Sequence, residues 1–185
     1  MDLIKIGQEL PIQIALPLQR LEKSTTYFKK LHLISDVLLG FFRLYGHAIL
    51  RIAEDENVIP ESLEQSIETL RTKDSHGLWS SSISRLIQEL DKQNSTSLSP
   101  ELASIFGVSL KSKKQPAIKR MTVRNTVIDG KGQKQTVEVT NTAIELLINF
   151  RNKYIGHGTV YSEVESKHIF ENSASIFESF LDSLA

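Results

Sequence analysis

Cysteine is missing from this sequence altogether. That absence excludes a disulfide scaffold, thiolate zinc sites and a cysteine nucleophile, and it fits a reducing cytoplasm. Net charge is missing too, because 22 basic and 22 acidic side chains cancel. No window approaches the length of a membrane-spanning helix without a charge, so no membrane contact is expected. Residues 1–10 carry Asp2 and Glu9 and lack the apolar centre of a signal peptide. There is no glycine-rich phosphate loop and no defensible pair of catalytic carboxylates, and Gly130-Lys131-Gly132 reads as a hairpin turn. What is present is ordinary for a globular chain: 185 residues, 40% hydrophobic and 24% charged. That is enough for one domain, residues 1–185, with a sizeable core.

The zero net charge hides a pattern. Residues 1–107 carry 11 basic and 14 acidic side chains, net −3. Residues 108–140 carry 8 and 2, net +6, and residues 141–185 carry 3 and 6, net −3. Lys111, Lys113, Lys114, Lys119, Arg120 and Arg124 all precede the first acid of the middle segment. A local basic patch is the footprint of a phosphate-rich partner, and these six residues are the expected contacts to its phosphate backbone. The plainer reading is a solvated loop.

Hydrophobic periodicity predicts an almost wholly helical chain. Ile12-Gln13-Ile14 alternates like a short strand or extended arm, and Pro17 suits the first turn of a helix. From about Ser24 to Glu54, Leu31, Ile34, Leu38, Phe41, Tyr45, Ala48 and Ile52 form one stripe, so this helix is expected to be central. Gly40 and Gly46 suit close packing or a bend, and Glu54-Asp55-Glu56 should fall just outside the helix end. A second helix opens at Pro60 and a third runs from Leu78 to Gln93, with Trp79 as a core anchor. A short helix begins at Ser99-Pro100 and stops at Gly107. Thr122–Val127 and Thr136–Thr140, joined at Asp129-Gly130, predict a basic hairpin inserted at 108–140. Thr142-Ala143-Ile144-Glu145 is a capping box that opens a helix, and the last helix covers Glu163 to Leu184. The expected class is therefore all-α: a helical bundle with the inserted hairpin.

Between the last two helices lies Arg151-Asn152-Lys153-Tyr154-Ile155-Gly156-His157-Gly158. Arginine stays charged and matches phosphate oxygens with a planar fork of donors. Histidine can move a proton near neutral pH. In an unbroken helix, residues six apart point about 120° apart, so spacing alone does not bring the two together. Gly156 and Gly158 free the backbone to fold His157 back. The same residues also fit a simple helix stop, with Arg151 meeting the dipole. His32 and Asp36, at i and i+4, could share a metal, but no third ligand is placed, and a surface pair is the expectation.

The Arg-x5-His spacing, with Asn152 after the arginine and a helix on each side, resembles the signature of the HEPN superfamily of small helical domains. The resemblance covers mainly residues 140–185, and the basic hairpin lies outside the family core. It implies a metal-independent endoribonuclease of a toxin, defence or stress-response system, needing no cofactor. Arg151 would stabilise the phosphate transition state, His157 would transfer protons and Asn152 would orient. It also implies a homodimer that pairs two motifs. The alternative is a non-catalytic interaction or regulatory domain that binds a protein partner within a larger assembly.

Overall fold

A computed structural model describes residues 9–73, 75–128, 134–156 and 160–184 of the chain. Within them the first helix, α1, is Ile12–Lys23. This corrects the expected strand or arm at 12–14. Pro17 lies inside α1 rather than in its first turn. Burial outweighs the proline: Ile14, Ala15, Leu18 and Leu21 form one apolar face that packs on the next helix. Proline has no N–H to give the carbonyl of Gln13 four residues back. That carbonyl faces Gly40, where a Cβ would stand only 2.3 Å from its oxygen.

The next helix, α2, runs continuously over Tyr27–Asp55. It starts at Tyr27 rather than Ser24, and its first N–H groups are capped from far along the chain: Tyr27 donates to Glu163 Oε1 at 2.6 Å. Residues Phe42–Gly46 form a π-helical turn. A π turn inserts one residue, so the buried stripe changes phase across it. Before it Leu31, Ile34, Leu38 and Phe41 are buried; after it Ile49, Leu50 and Ala53 are buried, while Ala48 is exposed. Gly46 meets the ring of Trp79, which a Cβ would approach to 2.8 Å. Glu54 and Asp55 stay inside the helix, not outside it, because Arg51 pairs with both, at 3.9 and 2.9 Å. By length and composition α2 could cross a membrane, but here it packs against neighbouring helices.

Four further helices are α3 (Glu61–Thr72), α4 (His76–Lys92), α5 (Pro100–Ile105) and α6 (Ala143–Tyr154). The last, α7, is Glu163–Asp182. Thr142 and Ser162 each form a capping box, with Glu145 and Glu165, at the starts of α6 and α7. Helix α2 is central and touches α1, α4, α6 and α7, while α6 also lies along α7. Phe41, Phe42, Phe106 and Phe180 meet ring to ring in the core.

The hairpin is a two-stranded antiparallel sheet, β1 (Met121–Ile128) and β2 (Lys134–Asn141), with Met121 opposite Asn141 and Ile128 opposite Lys134. Asp129-Gly130, the expected turn, lies outside the described residues. Met121, Val123 and Val139 pack on the helical core, which supports a pair of strands too small to be stable alone. Within the expected hairpin segment 108–140, residues 108–120 are irregular, and strand covers Met121–Ile128 and the part of Lys134–Asn141 that falls in it. The chain is mostly helical with one small sheet.

Candidate functional site

The C-terminal end of α6 rests on a small cluster of its own. Phe150 meets Leu31 of α2 and Ile169 of α7, with Tyr154, Ile155 and Tyr161 packed around them. Burial here follows from the last turn of α6: Leu146, Leu147 and Phe150 face inward while Asn149, Asn152 and Lys153 face out. Arg151 lies between these faces and is half-buried. Its Nη1 donates to Asn152 Oδ1 at 3.3 Å, and its Nε is buried with no hydrogen-bond partner among the described residues.

The helix then stops. Both Ile155 and Gly156 donate their N–H to the carbonyl of Arg151, at 2.8 Å each. These two hydrogen bonds to one carbonyl close the helix end, and Gly156 comes to lie against the arginine it follows by five positions. A Cβ at Gly156 would be 2.8 Å from Arg151 Nη1. A Cβ here would have to displace the guanidinium, the far end of a flexible side chain, while the backbone of Asn152 stays at 3.4 Å. Arg151, Asn152 and Gly156 are thus brought together at one helix end. His157, the next residue along, lies outside the described residues. Beside the motif, Val160 and Val164 are strongly exposed, at 83% and 80%.

Of the six basic residues, five are exposed and Lys113 is half-buried. Asp91, at the end of α4, holds the start of the segment: its carboxylate accepts the N–H of Lys111 at 2.7 Å, the N–H of Ser112 at 3.1 Å and the hydroxyl of Ser112. Burial pushes the Asp91 carboxyl up, but these bonds and the Lys111 charge outweigh it and hold the pKa below the usual carboxylate range. Lys113 is turned inward, donating its Nζ to the carbonyl of Leu98 at 2.8 Å. Lys111, Lys114, Lys119 and Arg120 are exposed. Arg124, on β1, pairs with Glu138 across the hairpin at 3.1 Å.

A cleft of about 720 Å³ lies between β1, α6 and α7, and it takes in Arg124 but neither Arg151 nor Asn152. Lys153, Asn149, His168 and Asn172 line it beside Arg124, and His168 Nε2 is 3.1 Å from the amide of Asn172. Sequence reasoning had no use for His168. The only signal was its i, i+4 spacing to Asn172, and the partners across the cleft come from two distant elements. Elsewhere, His32 packs edge-on against Phe28. Among the described residues no three His, Asp or Glu side chains converge to hold a metal ion. No family model matches this sequence, and comparisons with curated proteins and with solved structures return no match.

Proposed function

We propose that this chain is a HEPN-like ribonuclease that cleaves RNA without a metal, acting as a cytoplasmic homodimer in a toxin, defence or stress-response setting. The observation that carries the reading is the approach of Gly156 to the Arg151 guanidinium. An unbroken helix would separate positions 151 and 157, whereas this turn draws the residue bonded to His157 back against the arginine.

The chemistry needs a base, an acid and a cation. A base removes the proton of a ribose 2′-OH, and the oxygen attacks the adjacent phosphorus. The bond to the 5′-oxygen breaks and an acid protonates that oxygen. The products are a 2′,3′-cyclic phosphate and a 5′-OH. Arg151 would stabilise the charge gathered on the phosphoryl oxygens, using its fork of donors. His157 would carry the proton, and Asn152, already bonded to Arg151, would hold the fork in place. One motif has one imidazole, so two proton transfers call for two motifs. Val160 and Val164, exposed beside the motif, suit burial against a second copy.

A second reading is favoured by a specific observation. The Nε of Arg151 is packed away and its Nη1 is bonded within the chain, as a structural arginine would be. On that reading the chain is a non-catalytic interaction or regulatory domain.

The test is to incubate the protein with single-stranded RNA in EDTA and to analyse the ends of the products. Cyclic phosphate and 5′-OH ends are expected. Intact RNA across a broad substrate set would favour the interaction module instead.

A further inference from the structure

We propose that the free edge of β1 takes up an extended acidic segment of a partner protein as a third strand, laid in the cleft between β1, α6 and α7. The inference does not rest on the catalytic reading, because neither Arg151 nor Asn152 lines this cleft.

Among the described residues the sheet has two strands, so β1 pairs with β2 on one side only. In an antiparallel pair every second residue turns its N–H and C=O away from the partner strand. Such an edge is a template for another chain. Among the described residues no backbone hydrogen bond outside the hairpin involves Thr122, Val123 or Arg124. All three line the cleft. Their side chains leave opposite faces of the sheet. Thr122 and Arg124 meet Thr140 and Glu138 on one face, while Val123 packs on the helical core with the other. Consecutive residues from both faces border one groove where the groove follows the edge of the strand.

The walls select the chemistry of the occupant. Arg124 and Lys153 bring cations from two elements to the opening, and no acidic side chain lines the cleft among the described residues. Lys119 and Arg120, both exposed, come just before β1. This field favours acidic side chains on the incoming strand. Arg124 is shared with Glu138, but both are exposed, at 78% and 61%, and so weak a pair yields to a competing carboxylate. Phe150 and Ile169 are buried and form a floor that suits apolar side chains alternating with the acids. On the far wall His168 and Asn172, 3.1 Å apart, offer donors and acceptors to backbone groups of the new strand that β1 leaves unpaired. A regular row of backbone donors and acceptors is matched in register by another peptide backbone, so a protein strand fits this edge better than a nucleic acid does.

The experiment is fluorescence anisotropy with a labelled, capped peptide that alternates glutamate and valine, titrated with the full chain. Saturable binding is expected. The same peptide with lysine for glutamate should bind more weakly by about tenfold or more, because it meets Arg124 and Lys153 with like charge. Methylating the backbone nitrogens of the valines alone, or of the glutamates alone, blocks one edge of the peptide at a time. At least one of the two should weaken binding by about tenfold, since backbone pairing is lost. Arg124→Ala and Lys153→Ala together should weaken the acidic peptide by a similar factor, and both side chains are exposed, so thermal unfolding should be unchanged. A 2′-O-methyl RNA oligomer, which has no free 2′-OH, is the rival probe, and none of these readouts depends on cleavage. RNA that binds with sensitivity to the two substitutions, where the peptide does not bind, would assign the cleft to nucleic acid and overturn the proposal. It is also overturned if the peptide shows no saturable binding, if the lysine peptide binds as well as the acidic one, if neither methylated peptide is weaker, or if the double variant binds like the wild type.

Discussion

Gly40→Ala is the most informative change to the scaffold. Alanine ordinarily favours a helix over glycine by about 1 kcal/mol. At Gly40 the added methyl would stand 2.3 Å from the Gln13 carbonyl oxygen. A carbon–oxygen contact needs roughly 3.3 Å, so α1 must retreat by about 1 Å along its whole packed face. The obstacle is backbone and cannot rotate away. Overpacking costs about 1–3 kcal/mol, and against backbone that cannot rotate away the upper part of that range applies, about 2–3 kcal/mol. After the propensity gain, a net loss of about 1–2 kcal/mol remains, which for a chain of this size lowers Tm by about 2–8 °C. Gly77→Ala is the control, since nothing lies within 4 Å of its would-be Cβ at an exposed site in α4. It should be neutral or stabilising by up to about 1 kcal/mol. Urea unfolding followed by fluorescence reports both, because the lone Trp79 is 1% exposed. If Gly40→Ala unfolds at or above the wild-type midpoint, the packing of α1 on α2 described here is wrong.

Other consequences are equally open to measurement. Asp91→Ala should destabilise the chain by about 1–2 kcal/mol, since it removes the charged acceptor that holds the N–H groups of Lys111 and Ser112. Because the folded pKa of Asp91 is depressed, its contribution is fully present above the ordinary value of 3.8 and is lost as pH falls below it. The difference in stability between wild type and Asp91→Ala should accordingly shrink in acid, and a difference that grows there would contradict the assignment. Neutralising Lys114, Lys119 and Arg120, all exposed, should weaken RNA binding and flatten its salt dependence by about 0.7 in slope per lost phosphate contact. An unchanged slope would leave the segment a solvated loop. Any cleavage activity should survive EDTA, and loss on chelation with recovery on adding a divalent ion would overturn the proposed chemistry.

Local signals in the sequence carried much of the helical body. The Thr142–Glu145 capping box, the Ser99-Pro100 start and the alternating strands about 122–140 all act within a few residues, and each element forms where its signal lies. The Ser162–Glu165 box at α7 was equally legible, though it went unused. What escaped was long-range or cumulative. Pro17 reads locally as a helix start, yet packing on α2 carries the helix through it. The stripe through Tyr45 and Ala48 assumes an unbroken period, and the π turn at Phe42–Gly46 shifts it by one residue. Glu163 capping α2 spans 136 positions, and Asp91 anchoring Lys111 joins residues 20 apart. The same holds for the site. Arg151 and Asn152 are adjacent and could be read as a unit, but nothing linear tells how Gly156 approaches the guanidinium. The cleft is assembled from three elements, so its set of side chains exists only in the fold.

The proposed ribonuclease chemistry requires Arg151 and His157 to act together on an RNA phosphate. Its most direct test is the initial rate of RNA cleavage by His157→Ala and Arg151→Lys beside the wild type, with Trp79 fluorescence and thermal unfolding to verify folding. Loss of the proton-transfer group should reduce the rate by about 10²–10⁴. Arg151→Lys keeps the charge but loses the planar fork, and it too should be severely impaired. Both variants should remain folded; Arg151 lies at the end of α6, outside the main core. Undiminished cleavage by a folded His157→Ala protein would contradict the account.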